Sequence, residues 1–196
     1  VRLPGVLAAA LVAAAITTGA AAQDARRGAD LAAHRCVNCH GDSGRSEQLD
    51  IPSLAGQPAG FITLQMILFR EGIRQVPAMT AFAEGLPDKD IEDLAAFFAG
   101  LPPGPSPDRP PRDAALYAAG QAISGPRHCG SCHLPDYAGR EQIPRLAAQR
   151  EEYLARAMKE YRDGTRVGVD TQMNGAVVGL SDRDIAALAH YLSQRD

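Results

Sequence analysis

A five-residue pattern, Cys-x-x-Cys-His, stands at Cys36-Val37-Asn38-Cys39-His40 and again, at an offset of 93, at Cys129-Gly130-Ser131-Cys132-His133. The repetition runs well beyond the pattern. Ile51-Pro52-Ser53-Leu54-Ala55-Gly56-Gln57 is matched by Ile143-Pro144-Arg145-Leu146-Ala147-Ala148-Gln149 at an offset of 92. Phe61, Met66, Phe69, Arg70, Gly72 and Arg74 meet Tyr153, Met158, Tyr161, Arg162, Gly164 and Arg166 at the same offset of 92. Met79, Leu86, Ile91 and Phe97 meet Met173, Leu180, Ile185 and Tyr191 at 94. A repeat of this kind makes the whole chain two copies of one small fold.

Between the copies, residues 102–112 hold six of the 14 prolines. Proline fixes φ and lacks the amide donor, so this stretch reads as a stiff, semi-extended linker. It leaves two units of similar length, 23–101 and 113–196. No segment of either unit alternates like a half-buried strand. Leu154, Ala157, Met158 and Tyr161 share one face at helical spacing, as do Ile185, Leu188, Ala189 and Leu192. Ser181 followed by Asp184 is a capping signature for the last helix. The expected fold class is all-α: two tandem domains of three or four short helices each. Units of this size bury too little surface to be comfortably stable alone, so a disulfide, metal or cofactor is expected in each core.

Cys-x-x-Cys-His is the attachment pattern for c-type haem. Two thiols one helical turn apart can each add to a vinyl group on one porphyrin edge, and the following His then faces the iron. A zinc ribbon needs its Cys pairs much closer together than these two stand. A thioredoxin-like pair needs a βαβ context and leaves the repeated His unexplained. A disulfide across two intervening residues is strained and stabilises little. The expected cofactors are therefore two covalently bound haem c groups with their iron, held by Cys36, Cys39, Cys129 and Cys132, with His40 and His133 as axial ligands.

A Met on the second axial position raises the reduction potential. Each half offers two. Met79 and Met173 follow His40 and His133 at almost the same separation, in what reads as a loop before the last helix. Met66 and Met158 lie on the apolar face of the middle helix, where Met commonly fills core space. Met79 and Met173 are the preferred ligands. His34 and His128 have no aligned counterpart, and His190 aligns with Ala96; all three read as surface or hydrogen-bonded histidines. Pro52 and Pro144 begin the loop after each motif, and their Ile-Pro-x-Leu segments are where a backbone acceptor for the second ring nitrogen of each motif His is expected; the plain alternative is a turn proline with core Ile and Leu.

Residues 1–22 combine Arg2, an apolar run from Val6 to Ile16, and Ala20-Ala21-Ala22 before Gln23. That is the layout of a secretory signal peptide, too short for a span of about 20 residues. It points to the periplasm. The chain has 20 Lys+Arg against 23 Asp+Glu, so it lacks the cationic excess that nucleic-acid binding requires. Arg140, Arg145, Arg150 and Arg156 are a candidate docking face for a protein partner, or else a solvated helix face.

Together these features resemble the dihaem cytochrome c4 family, over essentially all of residues 24–196. The Pro after each haem motif (Pro52, Pro144), the Gln-(x)3-aromatic continuations Gln57 to Phe61 and Gln149 to Tyr153, and the Phe/Tyr-Arg-x-Gly elements at Phe69 and Tyr161 carry the resemblance. It implies His/Met ligation by His40 with Met79 and by His133 with Met173. It implies close crossings of the first and last helices at Gly28 with Phe97 and at Gly120 with Tyr191.

With both axial positions filled, each haem can exchange electrons but offers no open site, so the chain reads as an electron-transfer protein and not an enzyme. The resemblance implies a quinol–cytochrome c reductase or dehydrogenase as donor and a terminal oxidase or reductase as acceptor. Peripheral association with the membrane is compatible with this. The alternative is a fixed subunit of a periplasmic dehydrogenase or flavocytochrome. A dihaem peroxidase would need a displaceable ligand, against which the matching Met79 and Met173 argue.

Overall fold

The computed structural model describes residues 23–166 and 171–196; the expected signal peptide, 1–22, lies outside the described residues. Among those described, ten helices follow in two matching sets of five. The first set is α1 (Ala25–Arg35), α2 (Val37–His40), α3 (Ala59–Arg70), α4 (Pro77–Ala83) and α5 (Asp88–Gly100). The second is α6 (Ala114–Ser124), α7 (Cys129–His133), α8 (Glu151–Arg162), α9 (Gln172–Val177) and α10 (Asp182–Ser193). Among the described residues there is no strand, only an isolated bridge between Arg140 and Ile143. Each half has more helices than expected, because the haem motif and the Met segment each form a short helix of their own. Met79 and Met173 therefore sit on α4 and α9, and not in open loops. Pro77 at the start of α4 shows why: its missing N–H would have no partner there in any case.

Helix starts follow local chemistry. Asp24 caps α1 by accepting from the amides of Arg26 and Arg27, and Asp113 caps α6 through Ala115 and Leu116. Ser181 and Asp184 form a reciprocal capping box on α10.

In each half the first and last helices cross at a glycine. A Cβ on Gly28 would lie 2.0 Å from the Asp93 carbonyl oxygen, and one on Gly120 would lie 2.1 Å from that of Ala187. Only Gly permits this approach. The buried Asp93 locks the first crossing: it accepts from the Asp24 amide at 2.7 Å and pairs with Arg27 and Lys89. α3 completes the first core with Ile62 against Ile91, Leu94 and Phe98. α8 completes the second with Leu154 and Met158 against Ile185, Leu188 and Leu192.

The proline-rich stretch has no helix or strand, turns at Pro107–Asp108 where the Arg109 amide donates to the Ser106 carbonyl at 3.1 Å, and is not a free spacer. Arg112 and Arg109 donate to the Gln194 and Ser193 carbonyls, and Gln194 donates back to the Pro110 carbonyl at 3.0 Å. Asp108 takes a two-pronged bond from Arg150, at 2.6 and 3.0 Å.

Candidate functional site: two haem-attachment turns

Each motif occupies a single short helical turn. Cys36 caps α2, and the His40 amide closes onto the Cys36 carbonyl at 2.9 Å, so both thiols and the imidazole come from consecutive turns of backbone. Cys129, Cys132 and His133 share α7 in the same way. None of the four cysteines is paired in a disulfide. Cys36 and Cys129 pack against the two apolar cores, and burial pushes the Cys36 thiol up to about 11. After the motif the chain turns back through positive φ, at Gly41 in the first half and at Leu134 in the second.

His40 and His133 are both buried. His40 Nδ1 lies 2.8 Å from the Pro52 carbonyl oxygen and His133 Nδ1 lies 2.9 Å from that of Pro144. These are the acceptors expected from the Ile-Pro-x-Leu segments. An Nδ1–H donated to a carbonyl leaves the lone pair on Nε2, the nitrogen a metal would take, and fixes the ring plane. Burial lowers the pKa of both imidazoles, more than the carbonyl contacts raise it, which favours the neutral form that metals bind. Two cysteines on one turn and an imidazole held by one nitrogen form a donor set that fits haem c. Met79 and Met173 are both half-buried on α4 and α9, which pack on α3 and α8, and Met173 lies against the second core. Met158 lies in the second core and Met66 packs against the first, as core filler would.

The other histidines fall elsewhere. His34 and His128 are exposed and outside the two cores; His128 is the left-handed N-cap of α7. His190 is buried with both nitrogens engaged: Nε2 accepts from the Asp113 amide and Nδ1 faces a Glu151 oxygen, each at 2.9 Å. It ties the start of α6 to α8 and α10.

The arginines suggest a docking face in the sequence, and here the structure differs. Arg150 is buried between the halves, donating to the Ser46 carbonyl at 2.9 Å as well as to Asp108. Arg156 reaches back to the Asp50 carbonyl at 2.6 Å. Arg150 acts inside the molecule, and Arg156 bridges to the first half from a partly exposed position. The reason is that α8 faces the first half as well as its own core.

The halves meet across a pseudo-twofold arrangement that sequence reasoning missed. Gln57 and Gln149, equivalent in the repeat, each bond the backbone of the other half. Gln149 accepts from the Ser53 amide and donates to the Ser53 carbonyl, both at 2.8 Å. Gln57 accepts from the Arg145 amide at 3.0 Å and donates to the Arg145 carbonyl at 2.9 Å. Ser53 and Arg145 are themselves equivalent positions, so the contact is self-complementary, as at a C2 dimer interface. Arg74 and Arg166 are a third equivalent pair. They lie over the rings of Phe69 and Tyr161 at 4.6 Å each. Both act on Tyr153, whose burial pushes its pKa up while the two guanidinium groups outweigh this and bring it to about 8.

Comparison with known proteins matches both halves. Residues 23–98 match the family described as cytochrome c oxidase, cbb3-type, subunit III, and residues 117–196 match cytochrome c. Cytochrome c4 of Pseudomonas aeruginosa is 35% identical over 88% of this chain and 89% of its own. The chain belongs to the cytochrome c4 family. The crystal structure of reduced recombinant cytochrome c4 from Pseudomonas stutzeri superimposes with a TM-score of 0.80 at 30% identity, covering 89% of this chain and all of that one. A thiosulfate dehydrogenase electron acceptor from Stutzerimonas stutzeri is 31% identical over 85% of this chain and 81% of its own. Each half is a cytochrome c domain carrying one covalently bound haem c with its iron, and the protein transfers electrons. Among the described residues no helix is long and apolar enough to cross a membrane.

Proposed function

We propose that this cytochrome c4 homologue is exported to the periplasm and carries single electrons from a quinol–cytochrome c reductase or a dehydrogenase to a terminal oxidase or reductase. The observation that carries the reading is the duplicated imidazole arrangement, with His40 on the Pro52 carbonyl and His133 on the Pro144 carbonyl, each beside a cysteine pair that forms no disulfide. Cys36 and Cys39 would hold one haem by thioether bonds, with His40 and Met79 on its two axial positions. Cys129, Cys132, His133 and Met173 would do the same in the second domain. Domain boundaries at 23–101 and 113–196, with 102–112 as the connection, follow from the repeat and the proline run. The pattern of residues 1–22 supports export. When bound, haem supplies the one-electron iron couple. The chain's own part is to tether the group, fix the imidazole ring and keep water away from it.

The test is a haem count and a potentiometric titration of the full chain, alongside Met79→Ala and Met173→Ala. The expected result is two haems per chain, two low-spin steps at positive potential, and loss of the Met-to-iron absorption of one haem in each variant. A high-spin haem in the unaltered protein, or a variant that changes neither haem, would sink the ligand assignment.

A second reading, the dedicated acceptor of a dehydrogenase, is favoured by the relative named as a thiosulfate dehydrogenase electron acceptor. Co-purification with a dehydrogenase at fixed ratio separates it from the freely diffusing carrier.

A further inference from the structure

The two cross-domain glutamines touch the peptide groups that hold the histidines. The carbonyl of Pro52 and the amide of Ser53 belong to one peptide unit. Its oxygen lies 2.8 Å from His40 Nδ1, and its N–H donates to Gln149 Oε1 at 2.8 Å. The Pro144–Arg145 peptide unit is used the same way: its oxygen lies 2.9 Å from His133 Nδ1 and its N–H donates to Gln57 Oε1 at 3.0 Å. Each histidine is thus linked through one peptide group to an amide side chain of the opposite domain. Gln57, Gln149 and Ser53 are all buried, so water does not compete for these bonds.

We propose that Gln149 is a positioning residue for His40 and that Gln57 is one for His133, so that each domain tunes the axial imidazole of the other. This rests on the ligand reading given above for His40 and His133. A peptide N–H that donates polarises its own carbonyl, and hydrogen bonds in such a chain strengthen one another. The stronger carbonyl draws the Nδ1 proton further and raises the electron-donating power of the imidazole, which favours the oxidised iron. Breaking the link weakens that pull and moves the reduction potential of the haem in the opposite domain upward. The second bond of each glutamine, from Nε2 to the Ser53 or Arg145 carbonyl, fixes the amide plane so that Oε1 stays aimed at the N–H. The two links are not identical. Gln149 Oε1 also accepts from the Arg150 amide at 2.8 Å, and the Ser53 hydroxyl holds the Ser46 amide at 3.1 Å. Arg145 has no hydroxyl with which to repeat the second contact.

The experiment uses the full dihaem chain. His40→Ala first tests the reading on which the inference rests and tags the first-domain step; if neither haem step is lost or displaced, His40 is not a ligand and the inference falls with that reading, before any glutamine is changed. Gln149→Met and Gln57→Met, which keep side-chain volume, are then titrated with unchanged haem count and helix content as controls. The expected result is crossed: Gln149→Met raises the potential of the first-domain haem and leaves the second in place, and Gln57→Met does the reverse. A shift confined to the glutamine's own domain, equal shifts at both haems, or no shift overturns the proposal. Should a Met variant not assemble, Gln→Asn, one methylene short, replaces it with the same crossed expectation. Exchange of the His Nδ1 proton, followed by NMR in the ferric protein, gives an independent readout: it should quicken at His40 in the Gln149 variant and not at His133.

Discussion

Gly120 offers the sharpest test of the helix crossing on which the second domain is built. In Gly120→Ala the new Cβ would stand 2.1 Å from the Ala187 carbonyl oxygen and 2.5 Å from Tyr191 Cβ. Ordinary contact begins at 3.4 Å, so α6 and α10 must part by more than an ångström along that line. The atoms in the way are main chain and a Cβ, which no rotamer change can remove. A gap of roughly 0.5–1 Å already forfeits a quarter to a half of the dispersion well between facing atoms. Overpacking of this kind costs about 1–3 kcal/mol, and the upper end applies because backbone must move. Alanine returns about 1 kcal/mol through its better helix propensity. The net loss is about 2 kcal/mol. At about 4–8 °C per kcal/mol for a domain this size, the second domain should melt about 8–16 °C lower. Calorimetry of the dihaem protein measures it. Gly100→Ala is the control, since nothing lies within 4 Å of the added Cβ and only the propensity gain remains. A Gly120→Ala protein that melts at or above the unaltered one would refute the close crossing.

Asp93 makes the first domain acid-sensitive. Lys89, with the Asp24 amide and Arg27, outweighs its burial and holds it at about 2. Its stabilising contribution is therefore complete above the unfolded carboxylate value of about 3.9 and is lost as pH falls through about 2. Asp93→Asn should unfold earlier in denaturant at neutral pH and lose the slope between these values; an undiminished slope would place the acid transition on another group. Arg150→Met should free the linker: Asp108 loses both its bonds and the Ser46 carbonyl is left buried without its donor, a cost of about 1–3 kcal/mol. Limited proteolysis should then cut within 102–112 faster, and equal rates would show that Arg109, Arg112 and Gln194 hold the linker without Arg150.

Much of the site can be read from residue order because haem attachment is a local demand. Cys36, Cys39 and His40 must come from one turn, so their spacing survives in the sequence, and duplication prints it twice. The Pro52 and Pro144 acceptors were legible for the same reason: a short return loop can place only a few carbonyls against the ring. Helix capping by Ser181 and Asp184 is likewise local. The short helices at Met79 and Met173 were not legible, because six or seven residues carry too little periodicity to separate a helix from a loop. The contact of Tyr153 was not legible either: its hydroxyl reaches across to Arg74 as well as Arg166, whereas Tyr191 and Tyr137 keep theirs within the second domain.

The order of residues alone determined that this chain is two all-helical domains, each built around a covalent haem, because the attachment chemistry and the helical period both act over one or a few turns. How the two domains face each other was decided only in three dimensions. Gln57 and Gln149 look alike in the repeat, and nothing in their neighbours says that each serves the other half. Arg150 and Arg156 look like surface charge until α8 is seen lying against the first domain. Contacts between residues this far apart in the chain leave no local pattern, because their geometry is set by the packing of whole helices and not by the residues beside them.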